Sequence, residues 1–240
     1  MNLTFTHGNL DKFRGRIDWL RANKPEIGFV LSEVGNSLQP KNTYEFQARL
    51  GSALWQVDYY LYSMTIGVKR INYQQIMHAG YNLWLPVASA GFPAQVFSNY
   101  YSQPASDTLQ GTSGKTRVSQ LSVDAANIAA YVAYDDGAPK RIAAINMNYW
   151  NQTSSTEARC SVTLDFYVPD DVAEVTVYHL NSPAGAGAAA DSITYGGSQW
   201  TYESLGKEVK DVRQDTEIVA VEDGVASVIV ASSEAVLIWL

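Results

Sequence analysis

A lone carboxylate stands where a short apolar run stops. Residues 27–31 read Ile-Gly-Phe-Val-Leu; Ser32 and Glu33 follow, then Val34, Gly35, Asn36 and Ser37. A run of that kind predicts a strand buried on both faces, the habit of parallel sheets covered by helices. A helical pattern opens at Thr43, so the unit is strand–loop–helix, and in barrels of such units the active rim lies at the strands' carboxyl ends. Glu33 sits at that end. Its alternative is a solvated or capping Glu in a connecting loop. A second strand, residues 68–74, delivers Gln74, Gln75 and His78 to the same rim, with Tyr81 and Trp84 in the loop beyond. Asp58 falls within an apolar helical pattern and therefore needs a partner; a salt bridge or hydrogen bond suits it better than catalysis.

Other chemistries find little support. His7, His78 and His179 are far apart in sequence and no HExxH helix exists, so no metal site is expected. The single cysteine, Cys160, excludes an internal disulfide and a cysteine-based zinc site; its apolar surroundings predict a buried small hydrophobe. A net charge of -7 with dispersed Lys and Arg offers no basic block for a polyanion, which argues against nucleic acid as a partner. The first residues have neither a basic head nor a long apolar stretch, so no signal peptide is expected, and no segment reaches the roughly 20 apolar residues of a membrane helix. The 15 Tyr and 6 Trp suit either sugar-binding clefts or an aromatic core.

The elements that would position these residues change character along the chain. Leu10, Phe13, Ile17 and Leu20 recur at helical spacing and predict one amphipathic helix over 9–23, ended by Pro25. The longest helical pattern covers 43–66 and closes at Gly67. Up to about residue 110 the order is helix–strand–helix–strand–helix, an α/β signature, but only two strand–helix units of the eight in a closed barrel are present. Gly111-Thr-Ser-Gly114 marks a boundary. Beyond it, short runs at 116–123, 128–134, 141–149, 160–167, 175–180 and 225–240, separated by Asp/Gly/Pro turns, predict an antiparallel β-sandwich. The Gly/Ala-rich stretch 182–190 reads as a flexible loop. The expected organisation is a partial barrel over 1–110 and a C-terminal sandwich over 111–240.

An ordered set of short motifs resembles glycoside hydrolase family 79, the β-glucuronidase and heparanase-like enzymes, with the fungal β-glucuronidase-like branch nearest. It comprises Ser32-Glu-Val-Gly-Asn-Ser37, Leu50-Gly-Ser-Ala-Leu-Trp-Gln-Val-Asp58, Gly67-Val-Lys-Arg-Ile-Asn72 and Leu83-Trp-Leu-Pro86, then Leu180-Asn-Ser-Pro183, Thr194-Tyr-Gly-Gly197 and Ser233-Glu-Ala-Val236. The resemblance implies a (β/α)8 barrel followed by a β-sandwich, with no cofactor. It makes Glu33 the catalytic nucleophile of a retaining mechanism and Asn36 of the same motif a substrate contact. Tyr81 matches a tyrosine that holds the uronate carboxylate; Gln75 and Trp84 could reach sugar hydroxyls or a sugar face, or serve structure instead. Lys41 lies in a nucleophile loop, 38–42, that departs from the family's carboxylate-gripping pattern.

The family's acid/base is the Glu of an Asn-Glu pair on an earlier strand, and this chain contains no Asn-Glu dipeptide. The expectation is a C-terminal fragment carrying the nucleophile but not the acid/base, inactive alone, with a glucuronic-acid-bearing glycan or glycoside as the family's partner. The rival reading is a non-catalytic carbohydrate-binding remnant or a truncated gene product without activity. A sulfated polymer suits an acidic chain poorly. Secretion is implied for full-length members only, and oligomeric state is not readable.

Overall fold

Asn2 begins the fold, its side-chain oxygen accepting the Phe5 amide at 3.0 Å. This cap starts a first helix, α1 (Leu3–Asp11), well before the expected position; a second, α2 (Arg14–Asn23), follows it. The single helix expected over 9–23 is thus two, divided where the Phe13 amide turns tightly back to Leu10. Leu3, Leu10 and Ile17 are buried and keep one apolar stripe across the break. The computed structural model describes residues 1–36, 43–75, 82–89 and 92–240. Next come β1 (Val30–Val34), α3 (Thr43–Phe46), α4 (Leu50–Ile66), β2 (Arg70–Tyr73), β3 (Trp84–Leu85), β4 (Gln95–Val96) and α5 (Ser102–Gln110). Among the described residues no helix is long and apolar enough to cross a membrane.

β1 and β2 pair in parallel, with α4 between them in sequence. The expectation that 27–31 would be buried on both faces fails. The strand starts only at Val30, so Ile27, 52% exposed, lies before it, and Val30 is 42% exposed where β1 has a neighbour on one side only among the described strands. α4 is ended by Gly67 at φ 97°; the Gly67 amide bonds Met64 O and the Val68 amide bonds Ser63 O, the double closure for which glycine is favoured.

Apart from a 3₁₀ turn at Ala190–Ser192, the remaining elements are strands: β5 (Arg117–Leu121), β6 (Ile128–Asp135), β7 (Ala138–Asn146), β8 (Ser161–Tyr167), β9 (Glu174–Asn181), β10 (Thr194–Tyr195), β11 (Gln199–Trp200), β12 (Glu208–Val209), β13 (Thr216–Ala220), β14 (Val225–Ala231) and β15 (Glu234–Trp239). The chain is mostly β-sheet with few helices. An antiparallel sheet runs β10-β9-β15-β7-β6-β5, with β13 also on β9; β14 and β8 form a separate pair. The run expected at 225–240 is two strands turning at Ser232–Ser233, where Ser233 takes φ 59°. Cys160, expected to be buried, is exposed just before β8.

Both faces of the large sheet are covered. Ala130 and Val132 of β6 and Val236 and Ile238 of β15 join Phe166, Val228 and Val230 of the β8–β14 pair in one apolar cluster. Ala129, Tyr131 and Ala133 on the other face join Leu54, Val57 and Leu61 of α4 and Leu109 of α5. That second cluster runs across residue 111, so the helical part and the sheet share a core. It also explains why residues 128–133 are buried without alternation. The stretch 182–190 is packed rather than loose. The α4 amides of Leu50 and Gly51 donate to Ala188 O and Ala186 O, satisfying helix-end donors, and Ser182 and Ala188 are almost fully buried. Small residues are required there: a Cβ on Gly185 would lie 2.4 Å from Trp150 O.

Asp58 has the partners its burial demands. Its carboxylate, fully buried in α4, accepts the Tyr131 hydroxyl of β6 at 2.6 Å and has His7 Nε2 of α1 3.1 Å from both oxygens. A second ionisable cluster sits on the sheet, where His179 of β9 lies 2.8 Å from Glu234 of β15 and 3.4 Å from Glu217 of β13. Arg159 lies nearby, bonded to the carbonyls of Ser182, Ser232 and Ser233. Burial pushes the imidazole pKa down, but the hydrogen bond and charge of Glu234, joined by Glu217, outweigh it and raise the pKa above 6.5. A raised folded pKa gives stability that is fully present below the unfolded value, about 6.5, and is lost as pH rises through the folded value. Urea midpoints should therefore fall as pH rises from about 6.5, and His179→Gln should flatten that slope. An unchanged slope would remove His179 as its cause.

Candidate active site

Strict alternation along β1 would set Glu33 on the same side as Leu31. The pairing prevents it. Leu31 is opposite Ile71 and Val34 opposite Tyr73, so three steps on β1 match two on β2. The extra residue is a bulge at Ser32–Glu33, the device that re-aims side chains at strand ends. Leu31 and Val34 are therefore both buried, while Ser32 and Glu33 are exposed. The Asn72 side chain reaches the bulged Ser32 carbonyl at 3.4 Å, and Arg70 in turn holds Asn72 at 2.7 Å. The Gln74 amide closes the end of the pair on Val34 O at 3.0 Å. Glu33 itself makes no hydrogen bond or ion pair among the described residues. It is an accessible carboxylate at the carboxyl end of a parallel pair.

The other expected site residues fall into three situations. Asn36 is half-buried beside the start of α4; its amide donates to Ser52 Oγ, and its Oδ1 is buried without a hydrogen-bond partner. That leaves an acceptor close in sequence to Glu33. Gln75 has its amide occupied, Nε2 donating to Trp84 O at 2.6 Å and Oε1 accepting the Leu83 amide at 2.8 Å. It braces the turn that carries Trp84. Trp84 is 42% exposed and meets Tyr100 edge-on at 6.3 Å. Tyr81 lies outside the described residues, as do Ser37, Lys41 and His78. Among the described residues no group of three or more His, Cys, Asp or Glu side chains could hold a metal ion. Sequence reasoning missed the bulge and Asn72; the Asn two residues beyond Arg70 in β2 was the available signal.

Residues 130–237, from β6 to within β15, match the model of the glycosyl hydrolase family 79 C-terminal beta domain. Over those residues the chain resembles the C-terminal β domain of glycosyl hydrolase family 79. A β-glucuronidase of Aspergillus niger is 28% identical over 229 residues, covering 90% of this chain and 42% of that protein. One of Neurospora crassa is 27% identical over 230 residues, covering 84% and 41%. The chain thus spans less than half the length of these relatives. Among solved structures, a 4-O-α-L-rhamnosyl-β-D-glucuronidase from Fusarium oxysporum superposes over 100% of this chain and 50% of its own, with TM-score 0.79 and 20% identity. A family 30 endoxylanase from Clostridium papyrosolvens gives TM-score 0.55 at 12% identity over 91% of this chain. These two carry the fold alone. The family 79 match contains the late motifs, at 180–183, 194–197 and 233–236, whereas Glu33 lies N-terminal to it.

Proposed function

We propose that this chain is the C-terminal part of a retaining β-glucuronidase: residues 1–110 supply the last strands and helices of a (β/α)8 barrel, residues 111–240 a β-sandwich, and Glu33 the nucleophile. The observation that carries the reading is the exposed carboxylate at a bulged parallel strand end, preceding a family 79 C-terminal domain. Retaining glycosidases hold two carboxyl groups about 5–5.5 Å apart across the scissile bond. Glu33 would attack the anomeric carbon of a glucuronide as the leaving oxygen takes a proton from the acid/base. Water, losing its proton to that same group, would then displace Glu33 and release β-glucuronate with retained configuration.

No Asn-Glu pair occurs in the 240 residues, so the acid/base is to be supplied by barrel sequence outside them. Asn36 and the exposed Trp84 are assigned to the sugar, and Tyr81 to the uronate carboxylate. The substrate class is a glucuronic-acid-bearing glycan or glycoside without sulfate, given the net charge of -7.

The test joins this chain to the preceding barrel of the Aspergillus niger relative and exposes the product to a 2-fluoro-glucuronide with a good leaving group. Peptide mass spectrometry should find one glycosylated carboxylate, Glu33. A label on any other residue would overturn the assignment.

A further inference from the structure

A groove runs along the junction of the helical part and the β domain. Two cavities, of about 300 and 230 Å³, share Gln95, Val96, Ala189 and Ala190 in their walls and so adjoin. Arg49 stands at one end. It precedes the first turn of α4, and its guanidinium makes no ion pair or hydrogen bond among the described residues. Trp200 and Tyr202 stand at the other end. Both rings are held in place: Trp200 packs edge-on against Tyr101 at 5.7 Å and 83°, and Tyr202, 42% exposed, anchors its hydroxyl on Pro86 O at 3.2 Å. Gln95 donates to Pro93 O at 3.0 Å, which leaves its Oε1 available, and the exposed Asp191 and Glu203 carboxylates form no ion pair among the described residues.

We propose that this groove binds a neutral oligosaccharide, with sugar faces against Trp200 and Tyr202 and hydroxyls held by Arg49, Gln95, Asp191 and Glu203. Fixed aromatic rings offer apolar area at little conformational cost, and a few polar groups with unused hydrogen-bonding capacity match the alternating C–H faces and hydroxyls of a pyranose chain. Charge selects within the sugars. Glu45, Asp191 and Glu203 outnumber Arg49 along the groove, so a uronate-rich or sulfated chain is repelled and a neutral one is not. α4 starts at the end of the unit where β1 ends, which sets Arg49 at the same end as Glu33. The groove uses none of the residues assigned to β-glucuronidase chemistry, and the inference goes beyond that reading.

The experiment titrates the 240-residue chain with neutral tetrasaccharides of glucose, xylose and galactose, and with a tetrasaccharide of alternating glucuronate and N-acetylglucosamine, following tryptophan fluorescence and heat. At least one neutral tetrasaccharide should bind saturably and more tightly than the acidic one. Tyr202→Ala should weaken that binding by about tenfold and Arg49→Gln by a similar factor. Tyr202→Phe, which keeps the ring, should bind nearly as well as the parent and guards against a folding defect in the alanine variant. The proposal is overturned if no neutral tetrasaccharide saturates, if the acidic one binds more tightly, or if Tyr202→Ala and Arg49→Gln both leave binding unchanged. Loss of binding in Glu33→Gln with neither groove variant affected would also overturn it, by locating the sugar at the strand-end rim, and would leave the β-glucuronidase reading standing.

Discussion

Replacing Glu33 by alanine, in a polypeptide that supplies the whole barrel, is expected to lower β-glucuronidase kcat by at least about 10⁴-fold. As the nucleophile proposed above, Glu33 would form the covalent bond that splits one difficult displacement into two. The fold should survive: Glu33 is exposed and makes no hydrogen bond or ion pair among the described residues, so its removal opens no cavity. Azide should restore part of the turnover by entering the vacated space, and the product should be the α-glucuronyl azide, since a single displacement inverts the anomeric centre. Glu26→Ala, in the turn that precedes β1 and likewise exposed, should cost little. Wild-type turnover in Glu33→Ala, or a retained product with azide, would show that another carboxylate is the nucleophile.

His7→Ala is expected to destabilise the chain by about 3 kcal/mol, enough to lower Tm by roughly 6–12 °C in a domain of this size. Asp58 has no exposure to water, and its two donors come from distant elements, His7 on α1 and Tyr131 on β6. The imidazole also lies flat on Tyr62 at a ring distance of 3.7 Å, so alanine removes packing as well as a partner. What remains is a buried carboxylate held by the Tyr131 hydroxyl alone, a costly residue of a broken pair. Removing both ends, in His7→Leu with Asp58→Leu, should cost less than His7→Ala alone, because no unpaired buried charge is left. A urea midpoint for His7→Ala within error of the parent would mean that water already serves this carboxylate.

Several features of the protein are written in local sequence. Gly67 after an apolar stripe announces the end of α4, since only a residue at ease with positive φ closes that double hydrogen bond. Asp135-Asp136-Gly137 and Asp223-Gly224 announce turns for the same reason, with Asp136, Gly137, Asp223 and Gly224 all at positive φ. The apolar run ending at Glu33 located a strand end, and the order of the short motifs pointed to family 79. Each of these signals lies within a few residues of its consequence.

The tertiary structure decided what depends on neighbours. How much of 27–31 is buried depends on where the strand starts and what flanks it: Ile27 lies before β1, and with β2 alone beside the strand Val30 stays exposed. Residues 182–190 look loose by composition, yet they are packed because α4 needs acceptors for its first amides and Trp150 leaves no room for a side chain at Gly185. One partner of Asp58, Tyr131, lies 73 residues away on β6 and the other, His7, on α1, and nothing near Asp58 encodes either distance. The orientation of Glu33 is the sharpest case. Period-two alternation would send it inward with Leu31, and only the pairing of β1 with β2, which absorbs one extra residue, turns it outward. A bulge belongs to two strands at once, so one strand's sequence does not contain it.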